Sequence, residues 1–243
     1  VHSYQHSVGA DYQPAREAAG TNVINDSQSF DLGVTYSVTD RLLLAVNLPL
    51  NFNYRTSLYE HYGNALNVNP AQKRFGTMAN GIGDARLTAS YWLLDQLKHM
   101  KGNLSVGLGL KLPTGDSKAM DKFHRRASDG SDYTIEKPVD QSIQLGDGGV
   151  GINLEIQGYQ QLFSRTSLYY NGFYMSNPRN VNDAANVAPD KVVTDEMVRY
   201  MSVADQYAGR VGLNYALAPK AGIGATLGAR IEGVPAYDLI GGS

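Results

Sequence analysis

Apolar and polar residues alternate with a period of two through eight stretches of the chain. In Ser29–Val38, Phe30, Leu32, Val34, Tyr36 and Val38 oppose Asp31, Gly33, Thr35 and Ser37. In Leu42–Tyr54, Leu42, Leu44, Val46, Leu48, Leu50, Phe52 and Tyr54 oppose Leu43, Ala45, Asn47, Pro49, Asn51 and Asn53. Gly81–Leu94 sets Ala85, Leu87, Ala89, Tyr91 and Leu93 against Asp84, Arg86, Thr88, Ser90 and Trp92. Gly102–Asp116 carries Leu104, Val106, Leu108, Leu110 and Leu112 on one side, and small or charged residues on the other. Leu145–Tyr159, Thr166–Met175, Gln206–Leu217 and Ala221–Glu232 repeat the pattern, and Val1–Tyr12 is a weaker ninth copy. Such a period puts one set of side chains on each face of a β-strand.

The connections between these stretches alternate in length. Thr39–Arg41, Asp95–Lys101, Gln160–Arg165 and Ala218–Lys220 are short, whereas Gln13–Gln28, Arg55–Asn80, Thr114–Gln144 and Ser176–Ser202 are long and polar. A soluble sandwich has no reason to keep every long loop at one end, but outer-membrane barrels do. The pattern therefore predicts an all-β fold, a transmembrane antiparallel β-barrel of the outer-membrane type, as a single domain over residues 1–243. Short turns would be periplasmic and long loops extracellular. About nine strands are expected here. Bacterial single-chain barrels have even strand numbers and tolerate no open edge in lipid, so the sequence reads as a barrel incomplete at both ends.

Composition narrows the alternatives. The 243 residues are 42% hydrophobic and 18% charged, with mean hydropathy −0.31. No run approaches the ~20 apolar residues of a spanning helix, but strands with one lipid-facing side need only half their residues apolar. A net charge of −2 supplies no basic footprint for nucleic acid. Cysteine is absent, which removes disulfides and thiolate metal sites. Tyrosine, the amphipathic ring of membrane interfaces, occurs 16 times.

Four segments carry a resemblance. They are GIGDARLTASYWLL (Gly81–Leu94), GLGLKLPTGD (Gly107–Asp116), QLGDGGVGINLEIQGYQ (Gln144–Gln160) and SLYYNGFYMSNP (Ser167–Pro178). Together the chain resembles the outer-membrane transporter family labelled "MetA-pathway of phenol degradation", whose hallmark is a strand ending in Lys-x-Pro-Thr-Gly. Here that motif contains Pro113, Thr114 and Gly115. The resemblance implies a complete barrel of about twelve strands. It implies no catalytic residue and little about substrate.

Other motifs carry less. Gly146-Asp147-Gly148-Gly149-Val150-Gly151 matches G-x-G-x-x-G in form, but a dinucleotide site needs a strand before it and a helix after it. His2 and His6 lack a third ligand, no EF-hand pattern organises Asp116, Asp121, Asp129, Asp132 and Asp147, and no Gly-x-Ser-x-Gly elbow occurs. No enzyme activity, cofactor or metal is therefore expected. The candidate functional residues are the charges that alternate with lipid-facing apolar positions: Asp31, Asp84, Arg86, Lys111, Glu155, Arg210, Arg230 and Glu232. Basic residues on the lipid side would cost up to ~2–4 kcal/mol near midplane, so these charges belong in the lumen. Two functions follow. One is a passive channel for small solutes, hydrophobic or aromatic ones among them, with lumen charges setting selectivity and outer loops gating. The other is a structural or interaction barrel without an open pore, bound to lipid and to envelope partners.

Overall fold

The computed structural model describes residues 12–179, 181–185 and 192–240. Its main element is an antiparallel sheet curled into a half-barrel. Eight strands follow one another across it: β1 (Ile24–Ser37), β2 (Leu42–Ser57), β4 (Arg86–Trp92), β5 (Gly102–Lys111), β8 (Gly151–Phe163), β9 (Thr166–Ser176), β10 (Gln206–Ala218) and β11 (Ile223–Gly233). A ninth, β3 (Phe75–Ile82), pairs with the upper part of β2. The strands β6 (Met120–Arg126) and β7 (Asp132–Pro138) form a separate hairpin, and two short helices, α1 (Tyr12–Ala18) and α2 (Glu196–Arg199), lie outside the sheet. Among the described residues, β1 pairs only with β2 and β11 only with β10. The weak strand expected at Val1–Tyr12, with His2 and His6, lies outside the described residues except for Tyr12, which begins α1.

The short turns follow from local chemistry. Thr39 Oγ1 accepts hydrogen bonds from the backbone N–H groups of Arg41 (3.2 Å) and Leu42 (3.0 Å), which folds β1 back onto β2. Asn103 bridges the next turn, accepting from Leu94 N at 3.1 Å and donating to Leu94 O at 2.8 Å. Gly222 closes the β10–β11 turn in the left-handed region, φ 67°, where a side chain would be strained.

Several expected boundaries move. The connection read as Gln13–Gln28 holds most of α1, and β1 begins inside it at Ile24 rather than at Ser29. The strand expected over Gly81–Leu94 breaks at Gly83–Ala85, so β3 and β4 are separate partners of β2. Pro49 supplies the reason. Its carbonyl accepts from Gly83 N at 2.8 Å, so the N–H that proline lacks would face the same side, and the ladder cannot run on unbroken. The connection read as Arg55–Asn80 is shortened from both ends by β2 and β3. The loop read as Thr114–Gln144 contains the β6–β7 hairpin, and the strand expected from Leu145 starts only at Gly151.

Burial is inverted relative to a water-soluble fold. Among the described residues eight apolar side chains are buried against fifteen polar or charged ones. The convex face instead displays Leu32, Val34, Val46, Leu87, Leu108, Leu154, Val211 and Leu227, all exposed. Exposed apolar surface this continuous marks a binding or membrane surface, because soluble monomers rarely display it. No described helix is long and apolar enough to cross a membrane.

Candidate functional site

The concave face is polar, and cross-strand register shows why. Side chains directly opposite one another share a face. Ser90, Gly107, Glu155, Phe173, Ala208 and Glu232 form one transverse row. The next row contains Trp92, Ser105, Gln157, Asn171, Arg210 and Arg230. Two cavities lie against this wall. One, of about 680 Å³, is bordered by Asp31, Asn47, Arg86 and Glu155; the other, of about 410 Å³, by Glu155, Asn171, Arg210 and Arg230. Five of the eight candidate charges therefore line open concave space. Glu232 shares the face and accepts a hydrogen bond from Arg230.

The remaining two are built into the wall. Lys111 is buried at the end of β5, where its ammonium donates to Asp147 and lies 4.0 Å from Asp84 Oδ2. Asp84 accepts from the backbone N–H of Gly115 (3.0 Å, Oδ1) and of Asp147 (3.3 Å, Oδ2). Thr114 Oγ1 donates to Gly83 O and accepts from Ala85 N, both at 2.8 Å, and Leu112 N donates to Ala85 O at 2.8 Å. Pro113-Thr114-Gly115 thus clamps the bend that Pro49 creates in the neighbouring strand. Gly115 admits no side chain, since a Cβ there would lie 2.5 Å from the backbone oxygen of Leu145. Asp84 and Lys111 are locking groups rather than free lining charges. The glycines from Gly146 to Gly149 belong to the same junction and lead into β8, not into a helix.

Above this junction the connection between β5 and β8 turns inward. Its residues Val139 and Ile143, with Ala119 and Leu145, form a small apolar core against Ala79 on β3. Asn53 Nδ2 donates to Ile143 O at 3.1 Å. Arg55, buried at the upper end of β2, joins Glu60 (Nε to Oε2, 3.0 Å) and Asp140 (Nη2 to Oδ2, 3.1 Å), and donates to Asn25, Ser142 and Tyr59. An ordered loop therefore occupies the upper concave space, while the lower concave face stays open.

Two further clusters tie the long loops together. The ring of His61 stacks on Phe123 (centroids 5.2 Å apart), and that of His124 stacks on Phe75 (3.9 Å). His61 Nδ1 accepts from His124 N at 3.1 Å, and its Nε2 is buried without a hydrogen-bond partner. Burial, followed by the nearby His124, Arg125 and Lys137, lowers the His61 pKa to about 4. Asp132 accepts from Tyr62 and pairs with His124, which together hold its carboxyl below the usual range. On the far side Asp205 is fully buried. Burial pushes its carboxyl up, but the N–H groups of Leu239 and Asn177 and the Tyr174 hydroxyl outweigh that and hold it low.

The sequence pattern did not reveal Arg55, Glu60, Asp140 or His61 as site residues. One signal was present: Asp129-Gly130, a hairpin turn between the residues that became β6 and β7, with Gly130 at φ 86°. The aspartates grouped by that loop serve separately. Asp116 accepts from Lys118 N, Asp121 from Met78 N and Asp129 from Ser131. No protein-family model matches the chain, and no curated protein matches it.

Proposed function

We propose that the chain forms the wall of an outer-membrane β-barrel that passes small solutes, with the β5–β8 loop constricting its outer end. The observation that carries this reading is the inversion of the sheet: apolar side chains cover the convex face and polar ones the concave face. Lipid demands that arrangement of a barrel wall, and water on the outside would penalise it. The four segments that resemble the outer-membrane transporter family, including Pro113-Thr114-Gly115, support the same reading. In this orientation the short turns are periplasmic and the long loops extracellular. Asp31, Arg86, Glu155, Arg210, Arg230 and Glu232 then set the electrostatics of the path, while Asp84 and Lys111 hold its wall.

The inward loop favours a second reading, a barrel that is closed and serves as an anchor or envelope subunit. Single-channel recording of the full-length protein in a planar bilayer separates the two. Steady ohmic current supports the channel. Silence from protein shown to be folded and inserted supports the closed barrel, and co-purifying envelope proteins become its expected partners.

A further inference from the structure

We infer that Arg210 and Arg230 form a subsite for the carboxylate of a small solute on the concave wall. The two arginines stand directly opposite each other on β10 and β11 and border the same cavity of about 410 Å³. Like charges opposed across a ladder are destabilising. No described residue fully relieves this pair. Arg230 donates to Glu232, but Arg210 has no ion pair or hydrogen bond to any described residue. Glu155, on the other side of the cavity, is turned onto neutral donors, Asn153 Nδ2 and Thr88 Oγ1.

The space follows from the same rows. Gly107 and Ala208 contribute almost no side-chain bulk in the row of Glu155, so room opens beside the guanidinium groups. Phe173, between Glu155 and Ala208, offers an apolar surface for the body of a ligand. Planar guanidinium groups match the two oxygens of a carboxylate. Arg210, Arg230, Glu232 and Glu155 sum to zero, so a single carboxylate can pair locally with Arg210, whereas a second negative charge would meet Glu155 across the cavity. The site thus fits a monocarboxylate. This inference rests on the channel reading only in that solute must reach the concave face.

The test is binding of [13C]acetate to the full-length protein folded in detergent, followed by ligand line broadening, with acetamide as the neutral counterpart. Arg210→Gln should weaken acetate binding at least about tenfold. Arg210→Lys should retain part of it, and Lys220→Gln, in a distant turn, should leave it unchanged. Acetamide should not compete. Equal acetate binding by Arg210→Gln, equal binding of acetamide, or no binding by the wild type overturns the subsite. If Arg210→Gln fails to fold, the Arg210→Lys and acetamide arms still decide. Conductance of the same preparation keeps the two claims apart. Acetate binding by a non-conducting barrel removes the channel and leaves the subsite, and conduction without acetate binding does the reverse.

Discussion

Arg55 reaches from the upper end of β2 to Asp140 in the β5–β8 loop, Nη2 to Oδ2 3.1 Å. Arg55 keeps 8% of its side chain exposed and Asp140 25%. This pair, with Glu60, ties the sheet to the loop that occupies its upper concave space. Removing one member of a buried ion pair leaves the other charge without compensation, at ~3–5 kcal/mol. Arg55→Met should cost within that range, because Glu60, as buried as Arg55, loses its cation even though Asp140 retains solvent. The loop should then leave the interior. Larger unitary conductance, together with faster proteolysis between residues 112 and 150, is the expected result.

The Thr114 clamp makes a separate prediction. Thr114→Val keeps the shape but leaves Gly83 O and Ala85 N without their partner, at a cost of about 1–3 kcal/mol. Gly115→Ala should cost a similar amount, because its Cβ would press on the backbone of Leu145. Urea titration of the folded protein, followed by the shift in gel mobility between folded and unfolded forms, measures both. Thr114→Ser should be close to wild type.

Acid should loosen the long loops around His61 first. The folded-state pKa of His61, about 4, lies below its ordinary value of 6.5, so the unfolded loop binds the proton more readily. Its contribution to stability is fully present above pH 6.5 and is lost as the pH falls toward 4. Hydrogen exchange at residues 58–75 and 120–138 should accelerate over that interval while β5 and β8 stay protected. In His61→Gln the acceleration between pH 6.5 and 4 should be weaker.

Much of the sheet was legible because alternation is a local signal. Register adds little that the pattern of Leu104 to Leu112 did not contain. The rest depended on partners distant in sequence. Nothing near Arg55 announces Asp140, 85 positions away, and nothing near Asp84 announces Gly115 or Asp147. The break after Ile82 was hidden for the same reason: its cause, Pro49, sits on the adjacent strand. Lys111 alternates with exposed leucines just as a free charge on the concave face would, so only the fold separates a locking ion from a lining one.

If the convex face meets lipid, a charge there is costly and the same charge on the concave face is not. Leu108→Arg, on the exposed apolar side of β5, should destabilise the inserted protein by roughly 2–4 kcal/mol. Gln157→Arg, on the concave side of β8, should change it by less than about 0.5 kcal/mol. Equal effects would mean the two faces meet similar surroundings.

Site-directed spin labelling distinguishes a wall with lipid outside and water inside from one with water on both faces. The chain has no cysteine, so single substitutions place one label each at Val34, Leu154 and Val211 on the convex face and at Thr35, Gln157 and Asn171 on the concave face. In the full-length protein reconstituted in vesicles, the first three should relax with oxygen dissolved in the bilayer and the second three with a water-soluble nickel chelate. Loss of that alternation, with the convex labels as accessible to the chelate as the concave ones, would contradict the account.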